Sequence, residues 1–184
     1  MYHLGKSSEN VKEKVKDLLE TAVLHAPSPF HMQSQRAVLL MGAESHAFWK
    51  ITEDALAPIV PPDQFETTKS KLAAFAAGDG TILYFDDTAV TQSLMKTYPL
   101  YADKFPVWAQ RAGGMLQYAV WGLLTEEGLG ASLQHYNPVV DEAVKKRWNL
   151  PDSWELLAQM PFGKILTPPE EKDFAPIEKR VLVF

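Results

Sequence analysis

The 184-residue sequence contains no cysteine. This absence excludes a disulfide framework, thiol catalysis and any zinc site built on sulfur. Basic residues are also few, since 18 Lys and Arg stand against 23 Asp and Glu, which gives a formal net charge of −5. Nucleic-acid binding draws its strength from clustered Lys and Arg that release counterions, so we expect no nucleic-acid partner.

Long hydrophobic runs are missing as well. No stretch approaches the roughly 20 apolar residues that a membrane helix needs, and Met1–Lys6 lacks the apolar core of a signal peptide. We therefore expect a cytoplasmic protein without a membrane partner. The hydrophobic content of 46% is nevertheless enough for one large core, and we expect a single domain over residues 1–184.

The common catalytic motifs are not found either. The sequence has no G-x-S-x-G elbow, P-loop, H-E-x-x-H or G-x-G-x-x-G motif, so hydrolase, NTPase and Rossmann dehydrogenase hypotheses lose their main support. The histidines at positions 3, 25, 31, 46 and 135 show no metal-ligand spacing, and no metal site is expected.

Apolar periodicity and chain breakers predict helices interleaved with short strands. Helices are expected over 7–24, 44–56, 64–77, 108–127 and 141–147, and strands over 36–42, 81–85, 162–166 and 180–184. Ser7 or Ser8 is placed to cap the first helix, and Asp86–Asp87 to cap a helix after the second strand. This order favours a sheet covered by helices, in which the last strand needs a partner edge.

Two segments are unusual for structural elements of this kind. Residues 26–36 (APSPFHMQSQR) form a loop dense in hydroxyl, amide and guanidinium groups directly before a strand. Such a loop can satisfy several polar atoms of a heteroaromatic ring, or it can be a well-packed cap on the first helix.

Residues 127–138 (EGLGASLQHYNP) combine two glycines with small residues, so that their backbone can approach another group closely. A helix C-cap accounts for Gly128 but not for the whole pattern.

A third and weaker feature is the pair Lys179–Arg180 ahead of the last expected strand. Two adjacent cations can hold a phosphate, and they are also common as an ordinary surface pair. The sequence alone leaves both interpretations open.

Several of these segments together resemble the FMN-dependent nitroreductase superfamily. Within it they are most similar to the branch of copper-induced bacterial nitroreductases and fungal fatty-acid-regulation homologues. The segments that carry the resemblance are residues 26–36, Gly42 with His46 and Trp49, residues 114–121, residues 128–138, and Arg180 with Val183 and Phe184. They follow the family order over nearly the whole chain.

The resemblance implies an α+β fold with a central, mostly antiparallel sheet flanked by helices. It also implies a domain-sharing homodimer with two FMN sites between the subunits. The positions that match cofactor-binding positions of the family are Ser28, Gln33, Ser34, Gly128, Leu129, Gly130 and Arg180. The first three match a loop that lines the isoalloxazine and ribityl chain, the next three a segment whose backbone approaches the ring edge, and the last a basic residue near the phosphate.

The activity implied is that of an FMN-dependent NAD(P)H oxidoreductase. Such an enzyme reduces nitroaromatics or quinones in two-electron steps with ping-pong kinetics, using NADH or NADPH as the reductant. The flavin N5 carries the hydride, so no catalytic side chain is expected. The alternative is a non-catalytic flavin-binding or carrier protein on the same fold.

Two departures from the family pattern bear on the flavin. Position 31 is His where the family has Asn, so that one amide contact is changed or supplied by imidazole. Family members also begin with an Arg-rich stretch ahead of the part that matches Tyr2–Lys6, and its Arg and Ser help to bind the phosphate. The sequence begins after that stretch, and we therefore expect weaker FMN retention.

Overall fold

An antiparallel sheet surrounded by helices forms the fold, as the resemblance implied. The computed structural model describes residues 3–184, so that Met1 and Tyr2 lie outside the described residues. The strands are β1 (His3–Gly5), β2 (Gln35–Met41), β3 (Gly80–Asp87), β4 (Leu129–Ala131) and β5 (Trp154–Thr167). The helices are α1 (Lys12–His25), α2 (Ala43–Leu56), α3 (Pro62–Ala76), α4 (Thr88–Thr97), α5 (Phe105–Glu126) and α6 (Asp141–Trp148).

The long strand β5 organises the sheet. The strand order is β1-β5-β3-β2, and β4 pairs with β5 beside this path. All of these pairs are antiparallel, for example Tyr84 opposite Ala158 and Gly130 opposite Gly163. The expected antiparallel sheet is therefore confirmed.

Strand β3 is buried on both faces and separates two layers of core. Side chains alternate along a strand, so Ile82 and Tyr84 face the layer of α1 and α5, while Leu83 and Phe85 face the layer of α2, α3 and α6. This double burial explains why the segment reads as a short continuous apolar run.

Most expected helices are confirmed, but the first begins later than the sequence indicates. The structure starts α1 at Lys12, without a side-chain cap. Ser7 instead binds Asp79, with its N–H 2.8 Å from Oδ1 and its hydroxyl 2.6 Å from Oδ2. The proposed Ser7 or Ser8 cap is therefore wrong, whereas Asp87 does cap α4 by accepting from the Ala89 N–H at 3.3 Å.

The expected strand over 180–184 is also wrong. After β5 the chain forms only a short 3₁₀ turn at Ile177–Lys179, and residues 168–184 lie outside the sheet. A strand needs a neighbouring edge for its N–H and C=O groups, and this tail has none within the described chain. Its large apolar side chains are therefore exposed, including Phe174, Ile177, Val181, Leu182, Val183 and Phe184.

Hydropathy gives one further result for the described residues. Between positions 3 and 184, none of the helices is both long and apolar enough to cross a membrane.

Gly163 lies where three backbone segments meet, and we expect it to tolerate no side chain. A Cβ there would lie 2.5 Å from the Gly5 carbonyl oxygen and 2.8 Å from the Asp79 nitrogen. Because backbone atoms cannot move aside easily, Gly163→Ala should lower the free energy of unfolding by about 1–3 kcal/mol in urea denaturation. The control is Gly122→Ala, since a Cβ on Gly122 of α5 meets nothing within 4 Å. That variant should gain up to about 1 kcal/mol from helix propensity, and equal losses in both would contradict the packing argument.

Candidate functional site

The polar loop, residues 26–36, has an unusual backbone. Phe30, His31 and Gln33 have φ values of 55°, 51° and 49°, in the left-handed region that non-glycine residues rarely adopt. The Gln33 N–H donates to the Ser28 hydroxyl oxygen at 3.2 Å, which closes the loop on itself. Strain of this kind persists only where surrounding contacts hold it, and it concentrates at functional sites.

Arg36 supplies those contacts. Its Nη1 donates to the carbonyl oxygens of Gln33 at 2.7 Å and Gln35 at 3.0 Å. Its Nη2 lies 3.0 Å from Asp87 Oδ2, and the guanidinium also lies over the Trp154 ring. One side chain therefore ties the loop to the end of β3 and the start of β5.

Ser34 lies buried at the base of the loop, between the loop and α5. Its side chain is fully buried, and its hydroxyl oxygen accepts from Gln35 Nε2 at 3.0 Å. Gln35 Nε2 also donates to the Ala109 carbonyl oxygen of α5 at 3.2 Å. Ser28 is half-buried and Gln33 exposed, so a ligand on this surface meets those two side chains before Ser34.

A cavity lies beside the polar loop. It has a volume of about 160 Å³, and its walls include Ser28, His31 and Gln33. It shares Arg36 and part of α1 with a larger groove of about 610 Å³ that runs along β2 to Trp154. Polar groups on one wall and apolar side chains on the other are typical of sites for small organic ligands. His31 lines this cavity, and its contact with a flavin stays a prediction.

An aromatic cluster borders the same loop. The Phe30 ring lies 5.0–5.9 Å from each of four other rings, those of Tyr98, Tyr101, Phe105 and Trp108. Phe105 is fully buried, whereas Phe30, Tyr98 and Tyr101 remain more than a third exposed. The cluster therefore offers exposed aromatic surface against which another ring can pack.

The glycine segment, residues 128–131, offers main-chain groups. Gly128 ends α5 with φ of 73°, and a Cβ there would meet nothing within 4 Å. The N–H groups of Ser132 and Gln134 donate to the carbonyl oxygens of Pro161 and Gln159 on β5. Because antiparallel pairing alternates, the peptide groups of Leu129 and Ala131 point away from β5, and β4 has no second partner strand among the described residues. Leu129 lines a surface cleft, so its N–H is placed to donate to a ligand, whereas Ala131 is only 1% exposed.

Cations lie beside the glycine segment. A cleft of about 240 Å³ brings Gly128 and Leu129 together with Lys14, Lys164 and Ser8. Lys14 Nζ lies 2.7 Å from a Glu127 carboxylate oxygen. This hydrogen bond, with the attraction between the charges, raises the pKa of the Lys14 ammonium above its usual value. Lys14 therefore stays charged at neutral pH.

The polar loop and the glycine segment do not meet within one chain. Val11 and Lys14 at the start of α1 lie beside Gly128, whereas Leu24 and Ala26 at its end lie beside Ser28. At about 1.5 Å per residue, α1 holds these two surfaces roughly 20 Å apart. Arg180 lies in the exposed tail and makes no ion pair with any residue between 3 and 184.

Sequence reasoning missed two features of these surfaces. The aromatic cluster had a signal, because positions 98, 101, 105 and 108 repeat at helical spacing. Lys14 had none, since its partner Glu127 is 113 residues away.

The fold and these surfaces define an α+β protein of the nitroreductase type. Residues 10–164 match the model of the Nitroreductase family. The chain therefore belongs to the nitroreductase family, and its function is that of an oxidoreductase. Members of this family typically bind FMN.

Individual proteins support this assignment. Putative nitroreductase HBN1 of Saccharomyces cerevisiae is 32% identical over 160 residues, which are 87% of this chain and 79% of the yeast protein. Nitroreductase CinD from Lactococcus lactis, solved in complex with chloramphenicol, is 40% identical with a TM-score of 0.91, and the match covers 100% of this chain and 94% of CinD. A putative nitroreductase from Desulfovibrio desulfuricans in complex with FMN shares the fold at 14% identity and a TM-score of 0.69, over 100% of this chain and 91% of its own. The bacterial and fungal relatives confirm the branch that the sequence resembles.

Arg36 can be tested as the residue that holds the polar loop. Arg36→Lys keeps the charge but cannot reach three acceptors at once, so the free energy of unfolding should fall by about 1–3 kcal/mol. Hydrogen exchange of the backbone over 28–35 should become faster. The control is Arg147→Lys, because Arg147 pairs with Glu44 where both side chains are about half exposed, at 48% and 47%. That change should stay within about 0.5 kcal/mol. Unchanged exchange over 28–35 in Arg36→Lys would contradict this role.

Proposed function

We propose that this protein is an FMN-dependent oxidoreductase that takes reducing equivalents from NADH or NADPH and passes them to a nitroaromatic or quinone. The observation that carries the proposal is the presence of two complementary surfaces in a chain of the nitroreductase family. One is a polar loop with Ser28 and Gln33 at its surface, and the other is a strand edge where the N–H of Leu129 points away from β5 into a cleft.

The residues present fit FMN. The open space at Gly128 lets a ring edge approach the backbone, and the N–H of Leu129 matches a carbonyl or nitrogen acceptor of the ring. The hydroxyl and amide groups of the polar loop suit the remaining ring atoms and the ribityl chain. When bound, FMN supplies a centre that accepts and releases a hydride.

In this proposal the role of the chain's own residues is to bind and position FMN. The main-chain N–H of Leu129 holds the ring edge and stabilises negative charge there without reorganising. Lys14, Lys164 and Arg180 are the cations available for a phosphate, two from the cleft and one from the tail. Ser34 and Arg36 keep the loop in its strained shape. No side chain needs to act as a nucleophile or a general acid.

The site is completed by a second copy of the chain in this proposal. A single ring cannot touch both surfaces when α1 separates them by roughly 20 Å. In a homodimer with twofold symmetry, the polar loop of one protomer can face the glycine segment of its partner, which gives two equivalent sites. The exposed apolar tail over 168–184 supports such an assembly, because large exposed apolar surfaces mark contact regions.

The relatives support a nitroaromatic oxidant. CinD has been solved in complex with chloramphenicol and with 4-nitrophenol, and both compounds carry a nitro group on an aromatic ring. In this chain the aromatic cluster around Phe30 adjoins the polar loop, where it can stack against such a ring. The reductant and then the oxidant occupy the same space over the flavin in turn, which gives ping-pong kinetics.

Activity can be measured on the purified full-length protein. With added FMN the protein should turn yellow and consume NADH or NADPH when 4-nitrophenol or a quinone is supplied. Double-reciprocal plots at several oxidant concentrations should be parallel. Flavin uptake without consumption would favour the carrier alternative, and failure to take up flavin would exclude both.

Sharing of the site between protomers predicts complementation. Ser28→Ala with Gln33→Ala damages the loop, and Gly128→Val damages the glycine segment, so each homodimer should lose FMN binding and activity. Random mixing of the two variants through unfolding and refolding should restore about a quarter of the sites, because each mixed dimer has one intact pair of surfaces.

Each damaged variant refolded alone is the control and should recover nothing. Circular dichroism should show that both variants fold. If the mixture also recovers nothing although mixed dimers form, the site lies within one chain and the shared-site proposal is wrong.

A further inference from the structure

Phe30, near the middle of the polar loop, has a backbone conformation that bulky residues rarely adopt. Its φ of 55° and ψ of 19° are left-handed, and the next residue, His31, also has a positive φ of 51°. Such a conformation persists only where surrounding contacts hold it. Arg36 bonds the later part of the loop, at the carbonyl oxygens of Gln33 and Gln35. The conformation at Phe30 therefore needs contacts of its own.

The aromatic cluster supplies these contacts. The centroid of the Phe30 ring lies 5.0 Å from that of Tyr98 and 5.8 Å from that of Tyr101, both in the connection between α4 and α5. It lies 5.3 Å from the Phe105 ring, which is edge-on, and 5.9 Å from the Trp108 ring, which is inclined by only 21°. Aromatic pairs at these distances attract each other beyond the area that they bury. Because Phe105 is fully buried at the start of α5, the Phe30 ring is attached to a fixed element.

The polar loop directs its side chains to two different sides. Ser28, His31 and Gln33 line the cavity beside the loop. Phe30 packs in the aromatic cluster, and Met32, which is only 6% exposed, packs against α5. The turn that joins the two sides is short, since the His31 N–H donates to the Ser28 carbonyl oxygen at 3.0 Å. The position of the cavity-lining groups thus depends on where the Phe30 ring is held.

We propose that Phe30 is a positioning residue for the flavin, which acts through Ser28 and Gln33 and does not itself touch FMN. This role rests on the proposed function, because it requires that the polar loop binds FMN. Packed among the four other rings, Phe30 keeps the left-handed turn formed before the cofactor arrives, so that binding needs little further ordering of the loop. Without the Phe30 ring the turn relaxes toward ordinary backbone angles, and the Ser28 hydroxyl and the Gln33 amide leave their positions.

Titration of the full-length protein with FMN, followed by the quenching of flavin fluorescence, tests this role. Phe30→Leu keeps an apolar side chain but removes the ring, and it should weaken FMN binding at least about tenfold, because the loop must then be ordered on binding. Phe30→Tyr keeps the ring, and its affinity should stay within about threefold of that of the unsubstituted protein. Without FMN, hydrogen exchange of the backbone over 28–33 should become faster in Phe30→Leu but not in Phe30→Tyr.

The matched control is Trp148→Leu, which removes an aromatic ring from the layer of α2, α3 and α6. Trp148 is half-buried, and its Nε1 donates to Glu44 Oε2 at 2.8 Å. The variant should lose stability in urea denaturation while its FMN affinity stays unchanged. It therefore separates a general loss of stability from a change in the position of the loop.

Several results would overturn the role of Phe30. These are unchanged FMN affinity in Phe30→Leu, equal weakening in Phe30→Tyr, and equal weakening in Trp148→Leu. Should Phe30→Leu fail to fold, Tyr98→Leu takes its place, because it removes the ring nearest to Phe30. It is expected to weaken FMN binding several-fold, and unchanged affinity there would equally overturn the role. Failure of the unsubstituted protein to bind FMN is a different result, which refutes the proposed function and with it this role.

Discussion

The separation imposed by helix α1 governs how this chain can hold a flat ligand. The helix has 14 residues, and Val15, Leu19 and Ala22 fix it against the same core layer as α5. It cannot shorten or bend to bring its two ends together, so the polar loop and the glycine segment stay about 20 Å apart. A ligand that needs both surfaces requires a second chain, and twofold symmetry then makes two identical sites from one sequence. In the proposed homodimer, the length of a single helix thus links flavin binding to the oligomeric state.

The sequence predicted those parts of the fold that depend on local pattern. β3 carries a continuous apolar run, α2 and α3 show helical spacing between proline and glycine breakers, and Asp87 stands where a cap is needed. The prediction failed where the local structure depends on a residue or strand far away in the sequence. Ser7 binds Asp79, 72 residues away, instead of capping α1. The tail at 180–184 has the composition of a strand but no edge to pair with among residues 3–184.

The candidate site divides in the same way. Motif resemblance singled out Ser28, Gln33 and Gly128, and the structure places all three at accessible cavity walls. It also singled out Ser34, which is a buried hydrogen-bond partner of Gln35. A motif records which positions matter to a site but not whether a side chain meets the ligand or holds the loop that does. Burial and hydrogen-bond partners supply that distinction, and they depend on the packing of α5 behind the loop.

The adjacent pair Asp86–Asp87 shows why neighbouring identical residues can have different roles. Successive side chains of a strand point to opposite faces, so the two carboxylates at the end of β3 lie on opposite faces of the sheet. Asp87 meets the Arg36 guanidinium and the Ala89 N–H, and its charge is used to hold the polar loop and to begin α4. Asp86 accepts from the Thr91 hydroxyl, and its other carboxylate oxygen has no hydrogen-bond partner among residues 3–184. The two carboxylates therefore stabilise different parts of the fold, because Asp87 anchors the polar loop through Arg36, whereas Asp86 ties α4 to the end of β3 through Thr91.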